Sequence, residues 1–302
     1  MSNKIPVFVL CLAAVLGLTA CGSQNSGESA SDKVKVSVTF NALYEFTKAV
    51  GGDKVEISTI IPAGTEPHDF EPKAQDLVGL SEAQVFVYNG LGMERWAEDA
   101  VTASDNEDLI VVVASDGVEP IENTDGEEIS EHGQYDPHTW LSLKCAETEV
   151  TNIKDALIKA DPENSDFYEK NSEDYIAQLE SLYNEYADKF GAVTKKSFVT
   201  GHAAFGYLCR DFGLVQKSVE DVFAEGEPSA QQLTELVKYC RQAGVTTIFA
   251  EEMASPEVSE TLASEVGAKV ETIYTIESAE DDMSYLERME QNLSEIYSSM
   301  AA

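Results

Sequence analysis

Positive charge is scarce in this chain. Its 302 residues include 20 lysines and arginines against 55 aspartates and glutamates, for a net charge of −35. Such a chain repels phosphate, which argues against nucleic acid as a partner, and it disfavours adsorption onto anionic lipid. Small cations are its natural partners, although acidity also serves plain solubility. Cysteine is sparse, with five residues and none in a CxxC pair. The three beyond the N-terminus, Cys145, Cys209 and Cys240, read as small buried apolar residues with room for one disulfide. HExxH is absent, which removes the usual zinc-protease helix. "NGLGMERW" (89–96) lacks the later glycine of a dinucleotide fingerprint, so Gly90 and Gly92 read as turn formers and Trp96 as a packing anchor. Apolar residues make up 43% of the chain, enough for real cores, and the length suits one large domain or two of ordinary size.

The N-terminus carries a distinct signal. Lys4 precedes an apolar run from Ile5 to Leu18 that is too short and wrongly flanked for a stable span, and reads as a secretory signal over 1–20. "LTAC" (18–21) resembles the bacterial lipobox, which implies cleavage before Cys21, acylation of its thiol and anchorage to the cell membrane outside the cytoplasm. An ordinary signal peptide with a chance cysteine is the plainer alternative. Small polar residues follow, giving a tether over 21–33 with a reach of about 20 Å.

Strand-like runs recur at 33–40, 55–62, 83–90 and 109–115, and again at 196–201, 246–251 and 269–274. Helical stretches lie between most of them, and this alternation predicts parallel sheets covered on both faces, an α/β fold. Between the two sets, Asp161-Pro162 reads as a helix start and Gly191 as a stop. Tyr168, Tyr175, Leu179, Leu182, Tyr186 and Phe190 step at helical spacing between them. A helix over 162–190 would be about 43 Å long. It reads as a rigid strut between an N-terminal α/β lobe (34–161) and a C-terminal one (191–302), the alternative being a long helix packed on one domain. Leu286, Met289, Leu293, Ile296 and Met300 mark the core face of a last helix.

Only four histidines occur, and three of them follow strand-rich regions: His68 in "EPHDFEP", His138 in "DPHTW" and His202 in "TGHAAF". Ligands of open α/β sheets bind beyond the carboxyl ends of strands, so three such loops could converge. Taken singly, each histidine is an ordinary loop or core residue. Jointly they suit zinc, for which imidazole is a leading ligand. Prolines beside His68 and His138 restrict the backbone, and Gly201, Ala203 and Ala204 leave space around His202. The fourth, His132, lies in an acidic segment over 116–136 that reads as a solvated loop or, more sharply, as an accessory metal-collecting loop.

With "YNGLGMERW" (88–96), "GEPSAQQL" (226–233) and "SYLERMEQNL" (284–293) added to those motifs, the chain from Val34 onward resembles the metal-binding substrate-binding lipoproteins of bacterial ABC importers, in their zinc-type form. The resemblance implies two α/β lobes joined by one long helix, with a divalent ion in the inter-lobe cleft. It implies His68, His138 and His202 as ligands and an ABC permease as the partner that takes the metal up. A carboxylate completes the set: Glu277 in "YTIES" (274–278), or Asp282 (with Asp281 beside it) in the manner of manganese-binding relatives. Three neutral imidazoles and one carboxylate favour Zn2+ over Mn2+, and a closed four-ligand shell favours carriage over hydrolysis. Asp136 and Glu251 are candidates for holding the imidazoles from behind, or are simply a cap and a surface acid. A zinc hydrolase and a surface adhesin on the same fold are the alternatives to a transport receptor.

Overall fold

The computed structural model describes residues 33–123, 129, 133–222, 229–253, 256–279 and 281–301, and among them eight short strands and eight α-helices, joined by short 3-10 turns, build the fold. The signal, the tether as far as Asp32, Cys21 and His132 lie outside the described residues. The first sheet contains β1 (Val34–Val38), β2 (Val55–Thr59), β3 (Val85–Tyr88) and β4 (Ile110–Val113) in the order β2-β1-β3-β4. The second contains β5 (Ser197–Thr200), β6 (Val215–Ser218), β7 (Thr247–Glu251) and β8 (Lys269–Ile273) in the order β6-β5-β7-β8. Every pairing within the two sheets is parallel. Central strands such as "VKVSV" and "TIFAE" are nearly continuous buried runs, as parallel sheets covered on both faces require. The expected α/β class and the two parallel-sheet lobes are therefore present.

β6 has no counterpart among the expected strands. It is an edge strand, "VQKS", with alternate residues exposed, so no apolar run marks it. The helices are α1 (Asn41–Gly51), α2 (Ala97–Ala103), α3 (Leu143–Ala160), α4 (Ser165–Ala192), α5 (Gly206–Phe212), α6 (Ala230–Ala243), α7 (Glu257–Val266) and α8 (Tyr285–Ala301). The long helix α4 starts three residues later than the proline suggests, because Pro162–Asn164 forms a separate 3-10 turn. Asp161 ties that turn together by accepting from Asn164 Nδ2 at 2.6 Å and from the Tyr168 hydroxyl at 2.9 Å. Gly191 sits within the last turn and does not end the helix; the chain leaves in extended conformation at Val193. No helix among the described residues is long and apolar enough to cross a membrane.

One hydrophobic core runs through both lobes. It joins Val36, Phe46 and Trp140 of the first to Phe198, Phe205 and Phe249 of the second through α4 and α8. The start of α4 packs on the first lobe, where Asn171 Nδ2 donates to Val50 O at 2.9 Å and Tyr175 meets Phe46 edge-on. Its end packs on the second, with Phe190 5.1 Å from the Phe212 ring and 6.1 Å from that of Tyr297. Helix α8 makes the same crossing: Tyr285 stacks edge-on against Phe46 at 4.7 Å and its hydroxyl donates to Trp140 O at 2.6 Å. The lobes are thus braced by two helices. Cys145, Cys209 and Cys240 are free and buried, with no disulfide among them.

Phe190 lies where α4, α5 and α8 meet and is fully buried. Phe190→Ala is expected to remove about 3–5 kcal/mol of folding stability, read as a drop in the urea midpoint.

Candidate metal centre

Each loop that carries a site residue leaves the carboxyl end of a strand: His68 after β2, His138 after β4, His202 after β5 and Glu277 after β8. One potential donor atom from each lies within 4.8 Å of all the others. His138 Nε2 stands 3.1 Å from His68 Nε2 and 3.3 Å from His202 Nε2. Glu277 Oε1 lies 3.7 Å from His138 Nε2 and 3.9 Å from His68 Nε2. Zinc bonds of 2.0–2.1 Å at tetrahedral angles separate ligand nitrogens by about 3.3 Å. The two nitrogen separations at His138 are therefore close to those a tetrahedral ion imposes, with the carboxylate oxygen a few tenths of an ångström further out.

The sequence sets this geometry locally. Asp136 Oδ1 accepts from both the His138 backbone N–H and its ring Nδ1, each at 2.9 Å. A proton held at Nδ1 leaves a bare lone pair on Nε2, aimed at the other two rings. Behind this loop, Asn89 Nδ2 donates to Pro137 O at 2.7 Å and Thr139 Oγ1 donates to Asn89 Oδ1 at 3.1 Å. Glu94 in turn fixes the turn after β3, accepting from Asn89 N at 2.9 Å, Gly90 N at 3.0 Å and Thr39 Oγ1 at 2.5 Å. Gly90 and Gly92 give that turn its positive φ values of 87° and 96°. Trp140 is fully buried 5.1 Å from the His138 ring and donates from Nε1 to Thr275 O at 2.7 Å. Trp96 packs on Phe70 of the His68 loop, with ring centroids 6.0 Å apart.

Glu251 works differently from Asp136. Its Oε1 accepts from the His202 backbone N–H at 3.0 Å and stands 3.7 Å from the ring Nδ1, so it fixes the loop rather than the ring. Gly201 makes this possible, since a Cβ there would sit 1.9 Å from Glu251 Oε2. A Cβ on Gly206 would sit 2.6 Å from Asp136 Oδ2. The small residues beside His202 thus make room for the supporting carboxylates. Gln216 of the unexpected strand β6 donates to His202 O at 2.8 Å. Tyr207 of the second lobe donates to Asp136 O at 2.7 Å, tying the lobes together beside the site. Asp282 is exposed and not part of the cluster, and Asp281 is paired with Arg288 at 2.6 Å.

Burial controls the charges here. It lowers the His202 pKa well below the ordinary 6.5, with His138 adding to the effect, so this ring is neutral at physiological pH. It raises Glu277 well above 4.5, reinforced by Glu66 and Glu252 nearby. Glu277 Oε1 has no hydrogen-bond partner, whereas Oε2 accepts from Thr275 Oγ1 at 3.0 Å. Three imidazole nitrogens and one unsatisfied carboxyl oxygen in a buried cleft form a possible donor set for a divalent cation. Asn89, Glu94, Gln216 and Tyr207 escaped the sequence reading, because nothing separates one buried acid or amide from the many exposed ones in so acidic a chain.

The chain has relatives among known proteins. The model of the family described as zinc-uptake complex component A, periplasmic, matches residues 36–299. The chain is 48% identical over 299 residues to a protein of Treponema pallidum (strain Nichols) whose name describes it as metal-binding, covering 96% of this chain and 95% of that one. It is 38% identical over 310 residues to the high-affinity zinc uptake system protein ZnuA of Bacillus subtilis (strain 168), covering 97% of each. Among solved structures, the laminin-binding protein Lmb of Streptococcus agalactiae, described as bifunctional with adhesin and metal transporting activity, matches with a TM-score of 0.81. That match is 34% identical and covers 89% of this chain and 99% of the other.

Beneath the His138 loop, burial pushes Glu94 up to about 7 and Glu149 up to about 8. A carboxyl whose folded pKa is raised is protonated in the native state while the unfolded chain is still ionised. Its penalty is absent below its ordinary 4.5 and complete above its folded value of about 8 for Glu149. Glu149→Gln is therefore expected to raise the melting temperature of the metal-free protein at pH 8.5 and to change it little at pH 4.5, as read by calorimetry.

Proposed function

The chain belongs to the zinc-uptake complex component A family, and from that premise we propose that it is a zinc receptor that collects Zn2+ outside the cytoplasm and delivers it to an ABC permease. Its proposed ligands are His68, His138, His202 and Glu277. The observation that carries this reading is the meeting of three Nε2 atoms from both lobes, with contacts of 3.1 and 3.3 Å, beside a carboxyl oxygen that lacks a partner. The metal is cargo. Four protein donors fill a tetrahedral shell and leave no position for a water nucleophile, which supports carriage rather than hydrolysis. A nitrogen-rich set also supports zinc over manganese, since affinity at such donors rises from manganese toward zinc.

The protein, in this reading, is held at the membrane by acylated Cys21 and its tether, so that the cleft samples the space near the permease. Nucleic acid has no part in it. The adhesin activity attributed to the Streptococcus agalactiae protein stays with that protein; the geometry described here bears on metal alone.

Loading follows from the charges. With His202 already neutral, its proton does not compete with zinc until the pH falls well below 6.5. Burial raises Glu277 well above 4.5 and so favours its protonated form in the metal-free protein, and that proton must leave for the oxygen to coordinate. Metal capture is therefore coupled to proton release, and affinity weakens as the solution is acidified.

Two measurements test this. Zinc titration of chelator-stripped protein should give tight one-to-one binding that exceeds manganese binding in competition. His202→Ala should weaken it by more than the roughly 10- to 100-fold typical of changes behind the ligands; unchanged affinity and thermal stabilisation would remove the ligand assignment. Calorimetry in buffers of different ionisation enthalpy should show proton release on zinc binding that diminishes in Glu277→Gln.

A further inference from the structure

The loop that aims Glu277 contains an unfavourable backbone. Ile276 has φ +60° and is fully buried. Leu91 and Asp105 are the other non-glycine residues with positive φ among those described, so Ile276 is the β-branched case. In L-residues the left-handed region brings Cβ against the backbone, and β-branching worsens the clash. Such a conformation persists only where the surroundings impose it.

Glu252 imposes it. Its Oε2 accepts from the Thr275 backbone N–H at 2.9 Å and its Oε1 from the Ile276 N–H at 3.1 Å. The Thr275 hydroxyl lies 3.4 Å from Glu252 Oε1 and 3.0 Å from Glu277 Oε2, linking the two carboxyl groups. Neighbouring residues at the end of β7 thus serve both second-lobe donors: Glu251 holds the His202 backbone and Glu252 holds the backbone before Glu277. The first lobe grips the same loop from the other side. Trp140 Nε1 donates to Thr275 O at 2.7 Å, Asn41 N to Glu277 O at 3.2 Å and Gly64 N to Ser278 Oγ at 2.7 Å.

We propose that Glu252 is a positioning residue for the metal centre: by accepting the Thr275 and Ile276 N–H groups it keeps residue 276 left-handed, and so keeps Glu277 turned onto the three imidazoles. When these two bonds loosen, the backbone relaxes at Ile276, Glu277 swings away and the ion is left on three ligands. The site therefore has a built-in route for letting go of one donor without parting the lobes. This inference rests on the assignment of His68, His138, His202 and Glu277 as zinc ligands.

The test uses the full-length protein, zinc dissociation measured by transfer to a fluorescent chelator, and cobalt(II) as a visible reporter of coordination. Glu252→Gln presents an NH2 donor where one carboxylate oxygen accepted, so it loses one of the two N–H bonds. It is expected to speed zinc dissociation about 10- to 100-fold and to change the cobalt spectrum in the direction that Glu277→Gln changes it. Glycine adopts positive φ freely, so adding Ile276→Gly to Glu252→Gln should restore slow dissociation and the parent spectrum. A double variant as fast as Glu252→Gln, or a Glu252→Gln protein with unchanged dissociation and spectrum, overturns the proposal. If Glu252→Gln does not fold, Glu252→Asp, one methylene shorter, gives the same reading: faster dissociation is expected, and unchanged dissociation overturns the proposal. His202→Ala separates the two levels. No effect of that change on zinc defeats the ligand assignment itself, whereas a large effect beside an inert Glu252→Gln defeats only the positioning role.

Discussion

Three imidazole nitrogens from separate loops meet at one buried point. His138 Nε2 faces His68 Nε2 at 3.1 Å and His202 Nε2 at 3.3 Å, in a cleft where these side chains are at most 5% exposed. Asp136 accepts from His138 Nδ1 and keeps that ring's proton there, so His138 Nε2 faces its neighbours as an acceptor. A positive ion at their centre would draw all three nitrogens as ligands. The rest of the molecule can be read as the apparatus that brings these groups to one point and keeps water from taking the ion's place.

That apparatus is stiff. Two helices carry one hydrophobic core from lobe to lobe, and Tyr207 and Trp140 add hydrogen bonds beside the site. Moving one lobe as a body would break apolar contacts along α4 and α8 together, which cores resist. Local rearrangement of the loops is therefore the cheaper motion. The donors also differ in attachment. His138 is supported by Asn89 and Glu94 beneath its loop, whereas Glu277 sits on a loop shared by both lobes.

Much of this was legible in the sequence, for identifiable reasons. Buried parallel strands are written as apolar runs, so seven of the eight were marked, and the exposed edge strand β6 was not. Histidine is rare enough here that three in loops after strands stand out, whereas Glu277 is one of 55 acids and was selected by family resemblance. The supporting residues were harder. Asp136 beside His138 was a fair candidate, but Glu94 was hidden in a segment read for its glycines, and Glu252 behind the more obvious Glu251. Their roles depend on loops far apart in the chain, which no local pattern encodes. At Pro162 the long helix opens on a 3-10 turn that Asp161 stabilises, a local detail that periodicity does not mark.

The three cysteines have a bearing on selectivity. Sulfur is the ligand zinc would most readily accept in exchange for nitrogen, but only as thiolate. Burial pushes Cys145 up to about 11 and Cys209 up to about 12, and Cys240 is raised too, so all three keep their protons at neutral pH. With these thiols protonated and enclosed, the one cluster of three or more possible ligands among the described residues is that of His68, His138, His202 and Glu277.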